Sequence, residues 1–125
     1  PTVNDPQAEL QPPFPPSSGV LDRSLDLVRF LRAHCPWDAA QTHHSLRRYL
    51  LDESHEVVDA IDAADDEALG DELGDLLLNV AFQIVVAEER GAFDSTAVVR
   101  GLEEKMRRRH PHLYGGEHES WDSIK

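Results

Sequence analysis

The run Glu72-Leu73-Gly74-Asp75-Leu76-Leu77-Leu78-Asn79-Val80-Ala81-Phe82-Gln83-Ile84-Val85-Val86, set against Tyr49-Leu50-Leu51-Asp52-Glu53-Ser54-His55-Glu56-Val57 upstream of it, decides the fold. At about 100° per residue, the first segment is a rod that is apolar nearly all the way round from Leu76 to Val86. Glu72, Asp75, Asn79 and Gln83 form a single polar stripe along it, at i, i+3, i+7 and i+11. In the upstream segment Leu46, Tyr49, Leu50, Val57 and Ala60 define an apolar side, Glu53 points into its middle and Glu56 lies at its edge. Strand-period alternation is absent throughout, so the pattern predicts an all-α, four-to-five-helix bundle. A helix that is apolar all round must be covered on every side, which four short helices in one chain do not achieve. The expectation is therefore a homo-oligomer, a homodimer that pairs these helices or a homotetramer.

Working outward, Leu21, Leu25, Val28 and Leu31 predict a first helix ending near His34, with Cys35-Pro36-Trp37-Asp38 as a connecting loop. Thr42 is placed to cap the second helix, which runs to about Ala64. Asp65-Asp66 puts negative charge at the N-terminus of the third, which runs to about Arg90 and is followed by Gly91. Asp94 or Ser95 caps a fourth carrying Val98, Leu102 and Met106, stopped by Pro111. Six of the eight prolines lie in residues 1–16. That composition predicts a disordered Pro-rich tail over residues 1–19, ahead of a single domain over 20–125.

The chain has 125 residues, with 24 Asp+Glu against 12 Lys+Arg and a formal net charge of -12. This length suits one domain. The acidic excess repels phosphate backbones, so a nucleic acid polymer is not an expected partner. The longest apolar run is too short and too interrupted to cross a membrane. A lone Cys35, with no basic and apolar leader in view, points to a reducing, cytoplasmic setting.

Carboxylates on an apolar face need compensation, because desolvating a charge costs several kcal/mol even after relaxation. Glu53/Glu56 and Glu72/Asp75 are each three positions apart and so project as neighbours from one helix face. Facing one another, they supply four oxygen-bearing ligands with no nitrogen or sulfur, which suits Mg²⁺, with Mn²⁺ as a substitute, between the two central helices. A di-iron bundle needs Glu-x-x-His, whereas His55 stands two positions after Glu53. Mg²⁺ usually keeps waters and binds substrate phosphates, so the site points to phosphate chemistry. Lys105 and Arg109, i and i+4 in the only strongly basic stretch, suit polyphosphate oxygens; they equally suit a helix C-terminus. Trp37 and Trp121 offer faces for stacking on a base or anchors for a core. Asn79, on the same polar stripe, is a further candidate for substrate binding.

Cys35-Pro36-Trp37-Asp38, Gln41-Thr42-His43, the segments 49–57 and 72–77, Gly91-Ala92-Phe93-Asp94 and Arg108-Arg109-His110-Pro111-His112 together resemble the MazG-type nucleoside triphosphate pyrophosphohydrolases, from about residue 21 to 125. The resemblance implies an all-α fold, obligate oligomers and Mg²⁺-dependent hydrolysis of ribo- or deoxyribonucleoside triphosphates to the monophosphate and pyrophosphate, as nucleotide-pool house-cleaning. It carries metal-ligand roles onto Glu53, Glu56, Glu72 and Asp75, with Glu53 and Glu56 also catalytic. Its basic and aromatic pattern falls on Lys105, Arg109 and Trp121, with Lys105 and Arg109 catalytic as well as substrate-binding. The first Glu of the family motif is Asp52 here. Two other readings stand beside this one: a relative specialised for another nucleotide such as phosphoribosyl-ATP, and a non-catalytic helical interaction module that senses nucleotides.

Overall fold

Leu21 hands the chain into α1 (Asp22–His34), and the extended backbone of Cys35 ends it ahead of a proline. The segment expected as a loop is instead a one-turn helix, α2 (Pro36–Ala39). Proline at a first helical position has its φ already set and lacks only an N–H that would have no partner, so Pro36 starts a helix as readily as it stops one. The computed structural model describes residues 19–114. Within them are five α-helices, a closing 3₁₀ turn (Pro111–Leu113) and no strand. The proposed N-terminal tail lies almost wholly outside the described residues.

Helix α3 (Arg47–Asp62) begins later than Thr42. Thr42 does cap, but within a tight turn: its hydroxyl accepts from the Ser45 N–H at 3.1 Å, and the Ser45 hydroxyl accepts from the Thr42 N–H at 2.8 Å. Helix α4 (Asp66–Glu89) has Asp65 as its N-cap, and α5 (Ser95–Arg109) has Asp94; each carboxylate accepts from the amide three residues on. The ends of α3 and α4 close in the same way. Asp65 N–H reaches Ala60 O and Ala64 N–H reaches Ile61 O; Ala92 N–H reaches Ala87 O and Gly91 N–H reaches Glu88 O. Both put one residue in the left-handed region, Gly91 at φ 70° and, at greater steric cost, Ala64 at φ 52°.

Helix α4 is the axis of the molecule, about 36 Å long at 1.5 Å per residue. It packs against α1, α3 and α5. Its buried side chains Ala81, Phe82 and Val85 form the core with Val28 of α1 and Leu46 before α3, flanked by Leu25 and Leu78. Two ion pairs bind α1 to the far end of α4, Arg29 with Glu88 at 2.9 Å and Arg32 with Glu89 at 2.6 Å. Hydrogen bonds from Arg32 hold the Glu89 carboxyl below the usual range. Glu88 also accepts from the Ser95 N–H at 3.1 Å, so one carboxylate joins α1, α4 and the start of α5.

The other side of α4 is not fully covered. Leu77, Val80, Ala81 and Ile84 line an open groove of about 470 Å³ with Leu21 and Leu25 of the α1 end and with Thr96 and Val99 of α5. Val80, Val99 and Leu102 are 42%, 52% and 54% exposed, and α5 buries no residue. The rod therefore keeps the uncovered apolar surface that its sequence pattern implies.

Candidate metal and nucleotide site

Two helices position the carboxylates. Helix α3 carries Glu53 and Glu56 on consecutive turns, α4 carries Glu72 and Asp75, and the pair α3 and α4 is the most extensively packed in the fold. Oxygens of Glu53, Glu72 and Asp75 come within 4.8 Å of one another. Glu56 is exposed and lies outside this close group, near enough for its charge to act on Glu53. Asp52 is also exposed, one position round the helix.

Glu53 feels the arrangement most. Its pKa is pushed up to about 6, first by burial, then by a hydrogen bond from Glu72 and by the negative charges of Asp75, Glu72 and Glu56. Its Oε2 is buried with no hydrogen-bond partner, and among the described residues no Lys or Arg pairs with any of the three carboxylates. A buried carboxylate oxygen without a donor is costly unless a cation takes the donor's place. An all-oxygen group of this kind fits a hard divalent ion such as Mg²⁺ or Mn²⁺.

Beside the carboxylates opens a pocket of about 250 Å³ lined by Trp37, Asp38, Leu46, Tyr49, Glu53, Asp75, Leu78, Asn79 and Phe82. Trp37 meets Tyr49 edge-on, with ring centroids 6.0 Å apart and planes at 81°. The indole is 54% exposed, so it stands at the mouth rather than in the core. Buried Asn79 donates to the Asp75 carbonyl at 3.0 Å, which fixes its amide toward the pocket wall. The pocket has aromatic and aliphatic walls, a few polar groups and an acidic rim, a composition suited to a flat heterocycle joined to a metal-bound phosphate chain.

The polar stripe of α4 thus divides. Glu72 and Asp75 face the carboxylate group and Asn79 the pocket, while Gln83 turns to the loop before α3. Its Oε1 lies 2.5 Å from His43 Nδ1, and Arg90 Nε donates to His43 Nε2 at 3.0 Å. That contact pair requires a neutral imidazole with its proton on Nδ1. Tyr49 and Asp38, not singled out as pocket residues from the sequence, line the site; Tyr49 is visible only as an apolar-side residue until α2 brings Trp37 over it.

Lys105 and Arg109 are placed elsewhere. The α4 residues that line the groove with α5 and those that line the pocket lie on opposed faces at 100° per residue. Lys105 stands two positions, about 200°, from groove-lining Glu103 and so projects away from α4. One chain does not bring these cations to its own carboxylates. Trp121 lies outside the described residues.

The model of the MazG nucleotide pyrophosphohydrolase domain matches residues 41–114, which takes in α3, α4 and α5 with their carboxylates. The chain is 46% identical over 95 residues to the nucleoside triphosphate pyrophosphohydrolase/pyrophosphatase MazG of Thermotoga maritima, covering 73% of this chain and 37% of that protein. It is 41% identical over 97 residues to the nucleoside triphosphate pyrophosphohydrolase of Escherichia coli K12, covering 75% and 37%. A third, from Mycobacterium tuberculosis, is 40% identical over 107 residues, covering 82% and 33%. The chain spans little more than a third of the length of these curated relatives. Among the described residues no helix is long and apolar enough to cross a membrane.

Proposed function

Since the chain belongs to the MazG nucleotide pyrophosphohydrolase domain family, we propose that it hydrolyses ribo- or deoxyribonucleoside triphosphates between the α- and β-phosphates, releasing the monophosphate and pyrophosphate. The observation that carries this reading is the buried, unpartnered Oε2 of Glu53 within the Glu53, Glu72 and Asp75 group, at the edge of an aromatic pocket. Those three residues and Glu56 would hold Mg²⁺, which when bound neutralises phosphate charge and acidifies a coordinated water.

The chain's own residues do the rest. Glu53 and Glu56 orient the attacking water, and the shift of Glu53 toward neutral pH suits it to take a proton. Trp37 and Tyr49 hold the base at the pocket mouth, Asn79 lies against its edge, and Phe82 and Leu78 exclude water behind it. Lys105 and Arg109 stabilise the negative charge that builds on the departing pyrophosphate. Trp121 belongs to the substrate-binding set on the family pattern alone. Removal of non-standard nucleotides from a cytoplasmic pool is the setting this chemistry serves.

The placement of α5 extends the reading to assembly. A homodimer or homotetramer that buries the α4 groove covers Val80, Val99 and Leu102, and it gives Lys105 and Arg109 a route to the carboxylates of a neighbouring copy. Mixing Glu53→Gln chains with Lys105→Ala/Arg109→Ala chains tests this directly. If cations act across the interface, each mixed dimer has one intact site, and an equal mixture recovers about a quarter of wild-type turnover. No recovery means that the cations act within their own chain or in neither.

The first experiment is product analysis with the common ribo- and deoxyribonucleoside triphosphates, with Mg²⁺ and with chelator. Metal-dependent monophosphate and pyrophosphate are expected. Orthophosphate with diphosphate overturns the cleavage position, and nucleotide bound without turnover turns the assignment to a sensing module.

A further inference from the structure

Arg32 sits near the end of α1 with its side chain only 12% exposed, and it touches no pocket residue's side chain. Four of its hydrogen bonds are accounted for. Nε and Nη2 grip the two oxygens of Glu89 at 2.7 and 2.6 Å, and Nη1 donates to the carbonyls of Asp38 at 2.8 Å and Gln41 at 3.0 Å. Buried Gln41 continues the chain: its Nε2 donates to the Trp37 carbonyl at 2.8 Å, and its Oε1 accepts from the Ser45 hydroxyl at 2.8 Å.

Helix α2 has only four residues, far below the length at which a helix holds its own shape in water. What fixes Trp37 and Asp38 over the pocket must come from outside that turn. The carbonyls at its C-terminal end are met by Arg32 and Gln41, and Arg32 is itself clamped to the last turn of α4, the helix that bears Asp75 and Asn79. We propose that Arg32, locked by Glu89 and extended by Gln41, is the positioning residue for the mobile wall of the nucleotide pocket: it ties Trp37 and Asp38 to the same rigid helix that carries the carboxylates. The proposal rests on the reading of that pocket as the nucleotide site. A guanidinium is needed because one planar fork serves a bidentate carboxylate and two carbonyls at once, which a lysine ammonium does not.

The test compares wild type, Arg32→Lys and Glu89→Gln, with thermal unfolding to verify that each folds. Chains labelled with 5-fluorotryptophan report Trp37 by ¹⁹F NMR, its resonance assigned by its loss in Trp37→Phe. In Arg32→Lys the Trp37 resonance is expected to move toward its solvent-exposed position and sharpen, and KM for ATP, CTP, GTP or UTP with Mg²⁺ to rise about tenfold with kcat within about threefold. Glu89→Gln keeps both carbonyl bonds and is expected to show a smaller change of the same kind, so it keeps the test open should Arg32→Lys unfold. An unchanged Trp37 resonance in folded variants overturns the proposal. So does a fall in kcat at constant KM. A wild type that turns over none of the four nucleotides overturns the functional reading instead, and the ¹⁹F comparison still decides whether Arg32 positions Trp37.

Discussion

Replacing Glu53 by Gln should make the metal-free protein more stable at neutral pH while removing its response to Mg²⁺. Burial and three neighbouring carboxylates raise the Glu53 pKa from 4.5 to about 6. The folded state therefore binds this proton more tightly than the unfolded chain, and stability falls as pH rises from about 4.5 through about 6. The full shift corresponds to about 2 kcal/mol, and about 1 kcal/mol once solvent screening at this half-open group is allowed for. Glutamine has the same shape, no charge, and an amide that donates to Glu72 or Asp75. In chelator, calorimetry at pH 7.5 should place its midpoint about 5 °C above wild type. The two proteins should converge near pH 4.5, where Glu53 is protonated anyway. Added Mg²⁺ should then raise the wild-type midpoint and leave the variant unmoved, since only a folded-state ligand stabilises by mass action. A metal-free variant no more stable than wild type at pH 7.5, or a wild-type midpoint that does not rise on acidification from pH 7 to 5, would refute the reasoning.

Ala64→Gly should stabilise by about 0.5–1 kcal/mol in urea titration, because Ala64 sits at φ 52° where glycine carries no steric cost. Gly91→Ala should lose about 1 kcal/mol for the same reason, since nothing within 4 Å would meet the added Cβ and the penalty is backbone alone. Asp94→Ala should cost about 1 kcal/mol through loss of the α5 cap, visible as earlier amide exchange in α5 than in α4. Asp75→Asn should abolish pyrophosphate release in a coupled assay while circular dichroism stays that of wild type; near-normal rates would remove Asp75 from the site.

The helices were legible because their signals are local. The caps Asp65 and Asp94, the stop at Gly91 and the stripe of Glu72, Asp75 and Asn79 all lie within one or two turns of what they control. The inward carboxylates were legible because charge on an apolar face contradicts the pattern around it, and Glu53, Glu72 and Asp75 do come together. Pro36 misled because a proline that ends one helix can begin the next. Thr42 misled because its hydroxyl found a closer amide, that of Ser45. Gln83 read as part of the site's stripe, yet its partner is His43, forty residues away, and periodicity carries no information about such a partner. Arg32 gave no signal either: a basic residue in a last helical turn looks the same whether it rests in water or holds Glu89 and two carbonyls.

The central position of α4 also sets how the chain must fold. Its contacts with α3 and α5 join helices adjacent in sequence, and such local pairings close short loops and form quickly. The pairing of α1 with α4 is different, since its ion pairs span 57 and 59 residues. The α3–α4 hairpin, with its carboxylates already facing one another, is thus the natural nucleus, and α1 arrives later to seal Val28 against Phe82 and Val85. Destabilising changes in α1 should then speed unfolding and leave the folding rate nearly untouched, whereas changes at the α3–α4 seam, such as Val57→Ala, should slow folding itself. The residues that gather the acidic group would be the ones that start the fold.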